Sequence, residues 1–256
     1  MIHPTALVST KARLGAGVSI GAYSIIGENV EIGENSTIGS HVVIDGYTSI
    51  GSENSIHPFC TLGGPPQDKK YRGEATRLEI GNRNTVREYC TANCGTIQDT
   101  GVTRIGDDNW IMAYVHIAHD CLIENNTIFA NNAQIAGHVN VGSHAILGGF
   151  TVVHQFVSIG AHSLTAMGTI LLQDLPPYVT AAGNTAQAHG INSEGLKRRG
   201  FSPESVAALR TAYKTLYKSG MTLADAKLDL ARQALVAPEI KVLVDFLEKS
   251  RRGIVR

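Results

Sequence analysis

"VSIGAYSIIGENVEIGENSTIGSHVVI", residues 18–44, repeats itself every six positions. Ile20, Ile26, Ile32, Ile38 and Ile44 carry the beat, and Gly follows each of the first four. Counting outward by six reaches Ile2 in one direction and Leu62 in the other, and every position on the way is aliphatic. The beat returns at Ile80 and Val86 and slips by one residue. It then runs from Ile105 through Ile111, Ile117, Ile123, Phe129, Ile135, Val141, Leu147 and Val153 to Ile159. A six-residue unit of this kind reads as a short strand and a turn. The aliphatic residue points inward and the Gly or small residue is expected to allow the bend. Hexapeptide repeats mark a parallel β-helix.

The pattern resembles the left-handed β-helix of the hexapeptide-repeat acyltransferases. That resemblance implies three hexads per triangular coil, so residues 18 apart stack at the strand spacing of about 4.8 Å. It also implies the left hand, against the right-handed rule for ordinary parallel crossovers. Two segments leave the beat: residues 64–79, "GPPQDKKYRGEATRLE", read as an ejected loop, and a smaller excursion at about 95–104. The beat fades after Ile159, and "DLPPYV" (174–179) is expected to end the solenoid. The tail has helical period instead. Ser202 reads as an N-cap, Pro203 as the first helical residue and Gly220 as a stop, with further starts at Thr222 and Pro238. Val206, Leu209, Tyr213, Leu216 and Tyr217 form its apolar stripe. The expected architecture is an all-β left-handed parallel β-helix over residues 1–184, followed by a small α-helical domain over 185–256. A lone prism leaves broad faces in need of a partner, and relatives of this fold are often trimers, so a homotrimer is expected.

Composition narrows the function. The 256 residues carry 22 Lys+Arg and 22 Asp+Glu, so no net field draws the chain to nucleic acid or an anionic membrane. One Trp leaves little for base stacking. No apolar run is long enough for stable insertion in a membrane, and "MIHPTALVST" lacks the form of a signal peptide. Cys60, Cys90, Cys94 and Cys121 have no disulfide-scaffold spacing, which points to the reducing cytoplasm.

A ladder needs no histidines, yet "VHIAHDC" (115–121) holds two beside an aspartate. With a stacking interval of 18, His119 meets Gly137 and then Gln155, Asp120 meets His138, and Ala136 meets His154. His116, His119, Asp120, Gly137, His138, His154 and Gln155 are therefore expected in one polar patch. Isolated histidines on a solenoid, such as His3, His41, His57, His144 and His162, read as surface residues. A patch on a rigid scaffold reads as a reaction site. A His can serve as general base, an adjacent Asp can orient it, and a Gly N–H one coil away can receive an oxyanion. This combination suggests acyl transfer by direct attack. Cys121 is a rival nucleophile but reads better as a packed small residue. Cys90 and Cys94 lack the spacing of a metal site.

The motifs "IHPTA" (2–6), "GGPPQDKKYRGE" (63–74), "HIAHDC" (116–121), "NNAQIAGHV" (131–139), "VHQF" (153–156), "QDLPPYV" (173–179) and "NSEGLKRRGF" (192–201) resemble the UDP-N-acetylglucosamine 3-O-acyltransferases of lipid A biosynthesis. The likeness spans the chain. It implies transfer of a 3-hydroxyacyl chain from acyl carrier protein to the 3-hydroxyl of UDP-N-acetylglucosamine, without a cofactor or metal. It implies His119 as base, Asp120 as its partner and Gly137 as oxyanion donor. His116, His138, His154 and Gln155 would line the sugar and acyl site, with Gln67, Asp68 and Lys70 reaching in from the ejected loop. Asn192, Glu194, Arg198 and Arg199 would meet the nucleotide and phosphates. Met167 would floor the acyl groove and favour a chain of about ten carbons over one of about fourteen by steric exclusion. "CTANCGT" (90–96) and Thr185 depart from common forms of the family. The alternatives are an N-acyltransferase acting on a UDP-glucosamine derivative or a 3-amino UDP-sugar, a zinc hydrase on the same solenoid, and a non-enzymatic scaffold.

Overall fold

The computed structural model describes residues 1–256. Short strands, most of them two residues long, build three parallel sheets that form the faces of a left-handed triangular β-helix. Face 1 has nine strands, from Leu7–Val8 to Ile170–Leu171. Face 2 has eight, from Arg13–Leu14 to Ser158–Ile159. Face 3 has ten, from Ser19–Ile20 to Val179–Ala182, closed by the antiparallel strand Gln187–Ile191. The register is the one the beat predicts: Ile26 pairs with Ile44, Ile44 with Leu62, and Ile135 with Val153. Each beat residue alternates with an outward neighbour, as in exposed Thr37 and buried Ile38. The interior is one column of aliphatic side chains, with Phe129, Ile26, Ile111 and Leu147 among the largest fully buried. Burying each stabilises the fold by about 1.5–3 kcal/mol relative to exposure.

The glycine after the beat does a different job from the one expected. The bend is made two residues later, at non-glycine corners such as Asn35 (φ 58°), His41 (φ 57°) and His144 (φ 62°). Their left-handed backbones cost roughly 1–2 kcal/mol each. Their N–H groups bond the preceding coil, as His41 N–H does to the Ala22 carbonyl at 2.9 Å. The glycine itself is demanded by space: a Cβ on Gly33 would lie 2.6 Å from the Gly51 carbonyl carbon. Inside one edge, Asn54, Asn84 and Asn109 form a buried polar ladder. Each side-chain oxygen accepts the backbone N–H of the residue one coil on: Asn84 at 2.9 Å, Asn109 at 2.9 Å and Thr127 at 2.8 Å.

Two insertions interrupt the stacking interval. Ile50 pairs with Ile80, thirty residues on, and Ile80 pairs with Ile105, twenty-five on. The first excursion lies between the strands Thr61–Gly64 and Arg77–Ile80, and the second between Thr91–Asn93 and Val102–Ile105. Both leave the prism where face 1 turns into face 2.

The beat continues beyond Ile159, contrary to expectation. Thr165 and Leu171 occupy the next inward positions at 2% and 0% exposure. A threonine can hold such a position because its hydroxyl bonds the Thr151 hydroxyl at 2.8 Å. The tail forms α1 (Ser193–Arg198), α2 (Pro203–Lys218), α3 (Leu223–Ala234) and α4 (Ile240–Lys249). Ser202 and Thr222 cap α2 and α3 as read, whereas α1 and the Val179–Ala182/Gln187–Ile191 hairpin were not anticipated. Tyr213 and Tyr217 pack on the solenoid core, and Asp174 binds the end of the chain through the Ser250 hydroxyl at 2.7 Å and the Val255 N–H at 2.9 Å. No helix is long and apolar enough to cross a membrane.

Candidate active site

The strand His116–Ile117 ends on the edge between faces 1 and 2, and the next two corner residues are His119 and Asp120. Asp120 has φ 57°, which turns its carboxylate under the corner, and its side chain is fully buried. One carboxylate oxygen accepts the Thr96 hydroxyl at 2.6 Å and lies 2.9 Å from His119 Nδ1; the other accepts the Thr96 N–H at 2.9 Å. Burial pushes the Asp120 pKa up. The bonds from His119 and from the Thr96 hydroxyl and N–H outweigh it, so the carboxyl titrates below its ordinary value. An ionised carboxylate can only accept, so the His119 proton sits on Nδ1 and Nε2 is left open.

The His119 ring lies over Gly137 of the next coil. A Cβ added at Gly137 would fall 2.6 Å from His119 Cε1 and 2.7 Å from Nε2. The Gly137 N–H donates to no acceptor within the chain. The equivalent corner N–H is free in neighbouring coils too, so Gly137 is set apart by its missing side chain and the imidazole above it.

His138 completes the cluster. Its ring stands edge-on to His119 at 5.0 Å and flat on Phe156 at 4.3 Å. Its Nδ1 lies 2.7 Å from Asp99 and 3.9 Å from Asp120. His116 bonds the Thr91 hydroxyl through Nδ1 at 2.7 Å. Burial, and secondarily the nearby His119, hold its pKa below the ordinary imidazole value. Thr91, Thr96 and Asp99 were absent from the sequence reading. They escaped because the stacking interval there is 25, not 18; counting the shifted register from Thr91 leads directly to His116. Thr91 and Thr96 both lie in "CTANCGT" (90–96), which thus supports His116 and Asp120. His119, Asp120 and His138 also place a nitrogen or oxygen each within 4.8 Å of one another, the only such cluster of three.

The remaining predicted residues are spread more widely. His154 and Gln155 are exposed one coil beyond Gly137, on the same edge, and the His154 ring bonds only the Gln155 carbonyl. Gln67, Asp68 and Lys70 ride on the first excursion, which also leaves this edge; Asp68 accepts the Lys70 N–H at 2.9 Å. Asn93 steadies that loop by donating to the Pro65 carbonyl at 3.0 Å. Asn192 caps α1 and reaches the His162 carbonyl at 3.1 Å, placing α1 on the edge between faces 2 and 3. Glu194 pairs with Lys197 at 2.8 Å, Arg198 is exposed, and Arg199 is half-buried near His144 and His162. Met167 lies on the third edge at 82% exposure, so it does not fill the core. Within one chain, then, the His119 cluster, the α1 arginines and Met167 occupy three different edges. A groove of about 610 Å³ runs from His138 and Phe156 along face 2 to Val242 and Phe246 of α4.

This geometry accords with what the chain is similar to. A family described as UDP N-acetylglucosamine O-acyltransferase, domain 2, matches residues 174–255, and the bacterial transferase hexapeptide family matches 11–46 and 103–137. The acyl-[acyl-carrier-protein]–UDP-N-acetylglucosamine O-acyltransferase of Thiobacillus denitrificans is 58% identical, over 100% of this chain and 99% of its own length. The chain belongs to this acyltransferase family. The enzyme of the same name from Paraburkholderia phymatum is also 58% identical, with the same two coverages. Among solved structures, the UDP-N-acetylglucosamine O-acyltransferase of Moraxella catarrhalis superimposes with a TM-score of 0.98 at 43% identity, over 100% of this chain and 99% of that one. The Francisella novicida UDP-N-acetylglucosamine acyltransferase gives 0.98 at 39%, over 100% and 94%. Membership makes this chain an acyltransferase.

Gly137→Ala is backbone-compatible, since φ at 137 is not positive, but its methyl needs the space of the His119 ring. The ring must swing away from Asp120. Turnover is expected to fall by about 10²-fold or more, with the circular dichroism spectrum unchanged. Steady-state kinetics on the variant check this, and near-wild-type kcat would show that the ring contact is dispensable.

Proposed function

We propose that this acyltransferase moves a 3-hydroxyacyl chain from acyl carrier protein to the 3-hydroxyl of UDP-N-acetylglucosamine, the reaction that opens lipid A biosynthesis. The observation that carries the reading is the His119–Asp120 pair with its open Nε2 above Gly137. His119 Nε2 removes the proton of the 3-hydroxyl while that oxygen bonds the thioester carbonyl carbon. The carbonyl electrons move to oxygen, where the free Gly137 N–H meets the developing charge. The intermediate collapses, the C–S bond breaks, and the imidazolium returns the proton to the departing thiolate. Asp120 stays ionised throughout and stabilises the imidazolium. No acyl-enzyme is required. Cys121 is unsuited to the role of nucleophile, since burial pushes its thiol pKa up to about 12 and its Sγ donates to the Ala136 carbonyl.

The other residues divide the substrates between them. His116, His138, His154 and Gln155 meet the sugar and the acyl chain, joined by Gln67, Asp68 and Lys70 from the first excursion. Asn192, Glu194, Arg198 and Arg199 take the nucleotide end, where a guanidinium pair suits a pyrophosphate. Because these groups and Met167 lie on different edges of one prism, the complete site requires edges from more than one chain. The reading therefore includes a homotrimer with sites between subunits. Four free cysteines agree with a reducing, cytoplasmic setting.

The direct test is mass spectrometry of products from UDP-N-acetylglucosamine and a mixed pool of acyl carrier proteins. An ester at the 3-position is expected, and a product formed only from a 3-amino UDP-sugar would replace the hydroxyl acceptor with an amine. His119→Ala should retain the fold and lose about 10²–10⁴-fold in kcat; more than a third of wild-type turnover would remove His119 as the base.

Light scattering on fully active enzyme should return the mass of three chains. An active monomer would contradict a site shared between subunits.

Met167 is the proposed chain-length ruler. Its side chain occupies the length of roughly four methylenes, and forcing a longer chain past it costs about 1–3 kcal/mol. Wild type should prefer a donor of about ten carbons over one of about fourteen, and Met167→Gly should move the preference upward. An unchanged length profile in competition assays would exclude Met167 as the ruler.

A further inference from the structure

We infer that Asp99 is a positioning residue that fixes which ring nitrogen His138 offers to the acceptor sugar; this rests on the reading of the site given above. The His138 ring is held on three sides. It lies flat on Phe156, with centroids 4.3 Å apart and planes 9° apart, and it stands at 89° to His119. Its side chain is only 13% exposed, and Nδ1 is 2.7 Å from an Asp99 oxygen. The second carboxylate in reach, Asp120, faces the same nitrogen at 3.9 Å. A carboxylate accepts and does not donate, so the proton belongs on Nδ1, and a neutral ring then offers Nε2 bare.

The consequence is chemical selectivity. A bare Nε2 accepts a hydrogen, so the group that meets His138 has to be a donor: a sugar hydroxyl, not a phosphate or carbonyl oxygen. His119 is arranged in the same way by Asp120. Two imidazoles 5.0 Å apart, each tied through Nδ1 to its own carboxylate, suit two hydroxyls of one sugar ring. One hydroxyl reacts at His119 and the other is held at His138. A single insertion governs both rings, because the second excursion carries Thr96 to Asp120 and Asp99 to His138. Asp99 touches no substrate in this scheme and acts through His138.

The test is a ¹⁵N spectrum of histidine-labelled enzyme at about pH 8.5, where imidazoles are largely neutral. The His138 signal is identified by its loss in His138→Gln. Wild type should give a protonated Nδ1 and a bare Nε2. In Asp99→Asn the amide can donate as well as accept, so the His138 tautomers should mix. KM for the UDP-sugar should then rise roughly three- to tenfold, with kcat changed less than about twofold. Asp99→Glu should recover most of both readouts, and all variants should melt as wild type does. A wild-type His138 protonated on Nε2 would overturn the inference. So would an Asp99→Asn enzyme with unchanged tautomer, or with changed tautomer and unchanged KM. Should the enzyme fail to use a UDP-sugar at all, the functional reading falls, while the spectrum still decides whether Asp99 sets the tautomer.

Discussion

The parallel hydrogen-bonded stacking of one coil on the next is the constraint on which everything else here depends. Each strand is too short to be stable alone, and gains its partners only when the chain has gone once round the prism. That requirement fixes where the apolar residues fall and why a glycine follows them, with backbone carbonyls of the adjacent coil 2.6 Å from where a Cβ would be at Gly33. It also makes the scaffold stiff. Residues on one edge are held at strand spacing from their neighbours above and below, about 4.8 Å. The spacing brings the corners of His119 and His138 together, and the contacts to Asp120, Asp99 and Phe156 then hold the two rings edge-on with centroids 5.0 Å apart.

A scaffold with so strict a repeat acquires chemistry by breaking the repeat at chosen places. Both insertions leave the same edge, one and two coils before His119. The second supplies the hydrogen bonds that keep Asp120 charged although its side chain is wholly buried. An unpaired carboxylate in that position would take up a proton, and its hold on His119 Nδ1 would weaken. The His119–Asp120 pair thus depends on a segment outside the ladder, while the ladder decides where the pair stands.

The position of the tail has a similar cause. The Asp174 carboxylate accepts the Ser158 N–H at 2.8 Å and the Ser250 hydroxyl, and its backbone carbonyl accepts the Val255 N–H, so one residue ties the last coil to the end of the chain. Tyr178 joins the corner stack of His144 and His162 to the helical core, and its hydroxyl donates to the Glu239 carbonyl at 2.9 Å. These links set α1, with Arg198 and Arg199, along an edge other than that of His119. One prism therefore holds the His119 cluster and the α1 arginines apart.

The sequence by itself determined the β-helix, its inward residues from Ile2 to Ile159, and the meeting of His119 with Gly137 and of Asp120 with His138. A fixed period converts position along the chain directly into position in space, so counting was enough. It also determined the caps of α2 and α3, because a cap is a local bond between residues three apart. Only the tertiary structure decided the rest. Thr91 meets His116 only in a register shifted by the insertion, while Thr96 and Asp99 reach Asp120 and His138 from the inserted loop itself, and no period predicts where such a loop lays its side chains. Thr165 reads as the end of the apolar beat until its hydroxyl is found paired with Thr151 inside the prism. The bend at the corners fell to residues such as His41 and Asn35 because their N–H groups bond the adjacent coil, an interaction that exists only once the coils have stacked.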